Sequence, residues 1–171
     1  KFNKEGYLYE GHKILPYCPR CGTGLASHEV AQGYKEVKTN TVIAKFRRKG
    51  TENEYFLAWT TTPWTLSANV ALAVNPNLDY VKIYLNQSKE RLVLGKDALK
   101  VIKEDYKILD TFKGEKLVGL HYETCFPELP EQNFVHSVVA WDEVDATEGS
   151  CVVHIAPGCG AEDFELGQKL G

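Results

Sequence analysis

Apolar residues fall in short runs along this chain, each cut by turn residues. EYFLAWT (54–60) is almost continuously apolar, VALAV (70–74) is short and stops at the turn NPN (75–77), and YVKIYL (80–85) alternates like a half-buried strand. RLVLG (91–95), YKILDTF (106–112), KLVGLHY (116–122), FVHSVVAW (134–141) and CVVHIAP (151–157) also read as strands. Residues 34–49, rich in Val, Thr, Ile and Phe, run into the charged turn RRKGTEN (47–53), so 34–60 is predicted as one long hairpin. Helical spacing is confined to two places. KDALKVIKED (96–105) sets Leu99 and Ile102 one turn apart, and GCGAEDFELGQKL (158–170) opens a terminal helix. Many strands, few helices and no strand–helix–strand rhythm predict an α+β fold. Its core is a mixed, strongly curved β-barrel with a few peripheral helices covering its ends. Residues 1–33 read as a loop-rich lead-in segment, and 34–171 as a single core domain.

Composition narrows the class. The chain has 171 residues, enough for one sizeable core, and a net charge of −3, so any polyanion must be gripped by a local patch rather than by an overall field. No apolar run approaches the roughly 20 residues that span a bilayer. The polar start KFNKEGYLYEGHK lacks the features of a signal peptide. Five cysteines at irregular spacing fit a reducing compartment, and the expected location is the cytoplasm. The absence of any Met and the close on GQKLG, just as a helix begins, read as a monomeric piece of something longer.

The densest chemistry lies at WTTTPWT (59–65). It has the form of a strand running into a helix start, with Thr62 as N-cap and Pro63 at the first helical position, where a missing N–H costs nothing. Thr60 and Thr61 fall on opposite faces of the strand end, and Thr65 returns to the side of Thr62. A cap explains one hydroxyl, and Thr62 alone needs no further account. Four hydroxyls at one junction point instead to a small polar concavity able to bind an ester or phosphate oxygen.

A second motif, SCVVHIAPGCGAEDF (150–164), alternates so that Val152 and His154 share one face and Cys151, Val153 and Ile155 the other. Glycines 158 and 160 turn the chain, and Glu162 and Asp163 enter the first turn of a helix. Taken singly, His154 is a half-buried histidine, and the two acids compensate a helix dipole, worth about 0.3–1 kcal/mol each. Their separation by a strand end, a glycine turn and a helix start brings His154 and Asp163 to one rim. Cys159 beside His154 raises a Cys–His hydrolase, ranked below direct attack by water. CPRCG (18–22) is half of a zinc knuckle, with no second C-x-x-C to complete it.

Together, WTTTPWTLSANVALAVNP (59–76) and GSCVVHIAPGCGAEDF (149–164) closely resemble the editing domain of isoleucyl-tRNA synthetase. This is the connective peptide one insertion of the class I Ile/Val/Leu enzymes. YCPRCGTGLASHEVAQGYKEV (17–37) resembles the segment entering it, so the likeness spans nearly the whole chain. Valyl and leucyl relatives carry arginine before the proline, whereas this chain has Thr62 there and Trp64 after it. It departs from the family at Ser67, where proline is common, and at Cys159, where an aromatic is frequent.

The resemblance implies an aminoacyl-ester hydrolase that clears Val-tRNA(Ile) and spares Ile-tRNA(Ile) after transfer, with hydrolysis before transfer left open. One methylene is worth only about 1–3 kcal/mol in a binding pocket, isoleucine against valine being the standard worked case of that limit and of double-sieve editing. A stiff second pocket must therefore exclude the larger side chain sterically. The implied binding residues are Thr60, Thr61, Thr62, Trp64, Thr65, His154 and Asp163, and the implied catalytic ones Asp163, His154, Thr61 and Thr62. Asp163 would hold the free α-ammonium. Helix-start amides and threonine hydroxyls would stabilise the oxyanion, and water would attack with help from the vicinal ribose hydroxyl. The partners implied are the tRNA(Ile) 3′ end carrying misattached valine and the rest of the parent synthetase. No metal or cofactor is implied for this segment. ATP and Mg belong to the parent, where zinc is left open because the second Cys pair lies beyond this chain. Two alternatives stand beside this reading. One is a valyl-type domain clearing Thr-tRNA(Val). The other is a non-catalytic, zinc-stabilised RNA-binding module resting on CPRCG and the basic run KFRRK (45–49).

Overall fold

The computed structural model of the chain describes residues 1–147 and 149–171. A two-stranded ribbon, β1 (Tyr17–Cys18) with β2 (Thr23–Gly24), precedes the short helix α1 (Ser27–Gln32). Then come β3 (Val42–Arg47), β4 (Glu54–Thr60), β5 (Ala71–Val74), β6 (Asp79–Leu85), β7 (Arg91–Gly95), β8 (Tyr106–Lys113), β9 (His121–Tyr122), β10 (His136–Ala140), β11 (Val153–Ile155) and α2 (Ala161–Leu170). The nine strands from β3 onwards form one mixed sheet.

β4 organises this sheet. Both of its faces are largely covered, which is why its sequence is nearly all apolar instead of alternating. One edge pairs antiparallel with β3 along its length. The other edge is shared: Glu54–Phe56 run parallel to β7, while Trp59 pairs in parallel with Val153 of β11. Beyond β11 the order continues through β5, β10 and β9. β9 then returns to the end of β3, where the Lys49 amide donates to the His121 carbonyl (2.9 Å) and the Glu123 amide to that of Arg47 (2.8 Å). The expected curved barrel is therefore present, with β7, β6 and β8 as a wing.

Phe46, Phe56, Tyr80, Ile83, Leu94 and Tyr122 fill the main core, each worth about 1.5–3 kcal/mol on burial. Phe46 and Tyr122 meet edge-on at 5.3 Å, as ring quadrupoles prefer.

Several sequence expectations are corrected. The hairpin predicted over 34–60 begins only at Val42, because β4 ends at Thr60 opposite it and offers no backbone beyond. The predicted helix 96–105 is a 3₁₀ turn, Lys96–Val101, after which Ile102 is extended. Leu99, Val101 and Ile102 all pack on the core from that turn, which a regular helix would splay apart. The predicted strand 116–122 is mostly turn, with Gly119 at φ +81°, and only β9 remains. Cys151 sits at φ +58°, so the predicted strand 151–157 shrinks to β11 and alternation holds only there. Among the described residues no helix is long and apolar enough to cross a membrane.

One buried charge is matched in the barrel wall. Glu54, 4% exposed, pairs with Arg48 and with Lys82 at 2.9 Å. Burial pushes its carboxyl up, but the hydrogen bonds and charges of Lys82 and Arg48 outweigh that and hold it below the ordinary value of 4.5. Its contribution to stability is therefore complete above pH 4.5 and fades as pH falls through the depressed value. Glu54→Gln is expected to cost about 2 kcal/mol at pH 7. Urea unfolding of the two proteins at pH 7 and at pH 3 should show that gap narrowing in acid.

Candidate functional site

The parallel pairing of β4 and β11 sends the C-terminal ends of both strands to the same rim. β11 lies between β4 and β5, so the chain linking those two must arch over the end of β11. That arch is the 3₁₀ segment Pro63–Ala68, with Pro63 in the first turn. On the far side, Pro157–Gly160 turns into α2. A cavity of about 430 Å³ opens between them. Thr60, Thr61, Thr62, Trp64, Thr65, His154 and Asp163 all line it, together with Trp59, Val153, Trp141 and Cys159. All seven residues singled out in the sequence thus meet at one place.

The threonines form a chain of hydroxyls. Thr60, nearly buried at the end of β4, accepts the Thr62 amide at 3.0 Å, and its Oγ1 lies 3.3 Å from that of Thr62. Thr62 Oγ1 is 3.4 Å from Thr65 Oγ1. The Thr62 side chain makes no capping bond to the segment it precedes, which corrects its expected role as a cap. The helix-start amides expected to stabilise an oxyanion belong to a six-residue 3₁₀ segment, whose aligned dipoles are few, so hydroxyls dominate this wall.

His154 closes the chain. Thr65 Oγ1 donates to the Thr62 carbonyl at 2.8 Å and lies 2.8 Å from His154 Nε2. We assign the hydroxyl proton to the carbonyl and the ring hydrogen to Nε2, because the opposite tautomer would leave an N–H, a costlier orphan than a lone pair, on Nδ1. Nδ1 is buried and has no partner among the described residues. Burial also lowers the pKa of His154, so the ring is neutral. Asp163, half-buried in the first turn of α2, accepts the Ala156 amide on Oδ2 at 3.1 Å. Burial raises its carboxyl, the Ala156 bond lowers it, and neighbouring Glu162 raises it further, with a net upward shift. The cavity thus offers donors and acceptors on one wall and a poorly solvated acid on the other.

Some of the lining was not legible beforehand. Trp59 faces the cavity, and Gly149, at φ +58°, lies against it: a Cβ there would come within 2.7 Å of the indole. Trp141, just past the end of β10, and Val153 of β11 reach the cavity from segments whose neighbours no local pattern names. Trp64 is 72% exposed and sits at the mouth. The Cys18–Cys21 turn stands in the exposed ribbon, where the Cys21 amide bonds Cys18 Sγ at 3.4 Å and lowers its pKa. Two thiols supply half of a tetrahedral zinc shell, and no cluster of three or more ligands exists among the described residues. These residues do not by themselves fit the metal.

No protein-family model matches the chain. It is 53% identical over 162 residues to the isoleucine–tRNA ligase of Clostridium acetobutylicum and 54% identical over 164 residues to that of Clostridium novyi, covering 95% of this chain in each case. The chain belongs to the isoleucine–tRNA ligase family. It spans 16% of the length of those ligases. Among solved structures, it resembles the crystal structure of GlLeuRS-CP1 with a TM-score of 0.65 at 14% identity, covering 77% of this chain and 60% of that one. It also resembles the Plasmodium knowlesi cytosolic leucyl-tRNA synthetase editing domain, with a TM-score of 0.61 at 16% identity over 76% and 62% of the two chains. This ligase segment therefore has the fold of those domains.

Thr65→Val is the sharpest probe of the hydroxyl chain. It keeps the shape and leaves the Thr62 carbonyl its bond from the Thr65 amide, but strands His154 Nε2, and should cost about 1–3 kcal/mol in urea unfolding.

Proposed function

We propose that this chain is the editing domain of its ligase and hydrolyses Val-tRNA(Ile) while sparing Ile-tRNA(Ile). The observation that carries this reading is the single cavity in which four threonines and His154 stand across from a half-buried Asp163. Its partners are the tRNA(Ile) 3′ end bearing valine and the remainder of the synthetase, in the cytoplasm.

The division of labour follows from the chemistry. Asp163 takes the α-ammonium. An ion pair at 4 Å in an effective dielectric of 20 contributes about 4 kcal/mol before desolvation, enough to prefer a free amino ester over an N-blocked one. The raised pKa of Asp163 marks a carboxylate short of partners, which a cation relieves. The hydroxyls of Thr61 and Thr62 bond the ester and its developing oxyanion. His154 is a neutral wall held by Thr65: its Nε2 is engaged as a donor and its Nδ1 is enclosed, so it orients without taking the water's proton. The vicinal ribose hydroxyl assists the attacking water. Thr60, Thr65 and Trp59 complete a barrier stiff enough to reject the extra methylene of isoleucine.

Deacylation assays with separately charged Val-tRNA(Ile), Ile-tRNA(Ile) and Thr-tRNA(Val) test this directly. Only the first should be cleared rapidly, and rapid clearance of Thr-tRNA(Val) would reassign the domain to the valyl type. Asp163→Ala should lower kcat/KM for Val-tRNA(Ile) by roughly two to three orders of magnitude. Because its carboxyl titrates above the ordinary 3.8, wild-type activity should fall on acidification with a midpoint above that value. Full activity in the variant would remove Asp163 from the mechanism.

His154→Ala should open the wall and raise hydrolysis of Ile-tRNA(Ile) relative to Val-tRNA(Ile). An unchanged ratio would deny His154 its place in the sieve. Cys159→Ser should retain nearly the full rate, whereas complete loss would restore a thiol nucleophile.

A further inference from the structure

The arch bearing Thr62 and Thr65 is tethered from outside the cavity by a side chain that belongs to neither sequence motif. Gln132, 7% exposed, closes the 3₁₀ turn Pro130–Gln132. Its Nε2 donates to the Ser67 carbonyl at 2.8 Å. Its Oε1 accepts from Thr124 Oγ1 at 3.1 Å and lies 2.9 Å from Nε2 of the buried His136. Flipping the amide would set oxygen against the Ser67 carbonyl, so the arch itself fixes the orientation of Gln132. The clamp is held in turn: the Phe126 amide donates to Thr124 Oγ1 at 3.2 Å, and His136 stacks on Phe134 at 4.1 Å.

A second tether lies two residues on. Asn69, fully buried, accepts the Tyr122 hydroxyl at 2.7 Å and donates to the Ala71 carbonyl at 2.8 Å. The arch lacks a side-chain cap at its start. Besides the burial of Leu66 in the core and the Thr62 amide's bond to Thr60 Oγ1, it is held by the Thr65–His154 bond within the cavity and by these two anchors outside it. Ser67 is two residues from Thr65 in the same short segment, so any displacement of its carbonyl tilts the threonine wall.

We propose that Gln132 is a positioning residue of this wall, acting through the Ser67 carbonyl to set how closely Thr65 stands against His154. The proposal rests on the editing reading above. A sieve that separates two side chains by one methylene needs its wall fixed to a fraction of an ångström, and a small displacement of a catalytic geometry from afar costs up to roughly 100-fold. The tether supplies that fixity from a loop with no contact to the ester.

Two variants separate positioning from general support. Gln132→Glu keeps the acceptors for Thr124 and His136 but aims oxygen at Ser67, and Gln132→Met removes all three bonds at similar volume. In both, the ratio of Val-tRNA(Ile) to Ile-tRNA(Ile) deacylation should fall by roughly tenfold or more. The imidazole ¹⁵N resonances of His154 should also shift as its bond to Thr65 loosens. If Gln132 served only stability, both deacylation rates and Tm would fall together while the ratio and the His154 resonances stayed as in wild type, and that result would overturn the proposal. If Gln132→Met does not fold, Gln132→Glu decides alone. A wild-type chain that hydrolyses neither ester would sink the editing reading, and the His154 resonances would still decide whether Gln132 sets the arch.

Discussion

Everything at the cavity depends on one backbone pairing, the parallel contact of Trp59 with Val153. Parallel strands end on the same side. With β11 held between β4 and β5, the link between those strands has to cross two inter-strand spacings, about 9.6 Å, over the tip of β11. The link, residues 61–70, makes that crossing with a 3₁₀ segment at its centre, Pro63–Ala68, rising about 2 Å per residue. The geometry explains why Pro63 opens the crossing, and why Thr65 meets a histidine 89 residues away.

The same arrangement makes the site electrostatically uneasy. Among the described residues, His154 is buried with one nitrogen unpartnered, and Asp163 keeps a half-buried carboxyl with a single amide for company. Both are costs to the folded chain. They contrast with Glu54, as buried as His154 and more so than Asp163 but matched by two cations. The barrel satisfies a buried charge where only stability is at stake, and leaves polar groups short of partners around the cavity. That contrast supports the proposed binding of an aminoacyl ammonium there.

Much of this was legible in the chain. The strands β4 to β8 stand close to where apolar runs and turn residues place them, and the hydroxyl cluster and the His154–Asp163 spacing led to one cavity. Illegible features were those decided by distant backbone. β3 is short because β4 stops at Thr60, the 96–105 helix collapses to a turn because three of its apolar residues seek one core, and Cys151 takes a left-handed conformation inside an apparently regular strand. Gln132 and Asn69 carry no local signature. A glutamine in a proline-flanked loop announces nothing until the carbonyl it binds is known.

Gly149 illustrates how such a fold can drift. A methyl group there would meet two objections at once, a left-handed backbone that side chains dislike and the Cβ and ring of Trp59 at 2.7 Å. Substitution at this position would thus press on a wall of the chamber, although residue 149 is absent from the lining. For the proposed sieve, the space behind a wall is as much a determinant of what enters as the wall itself.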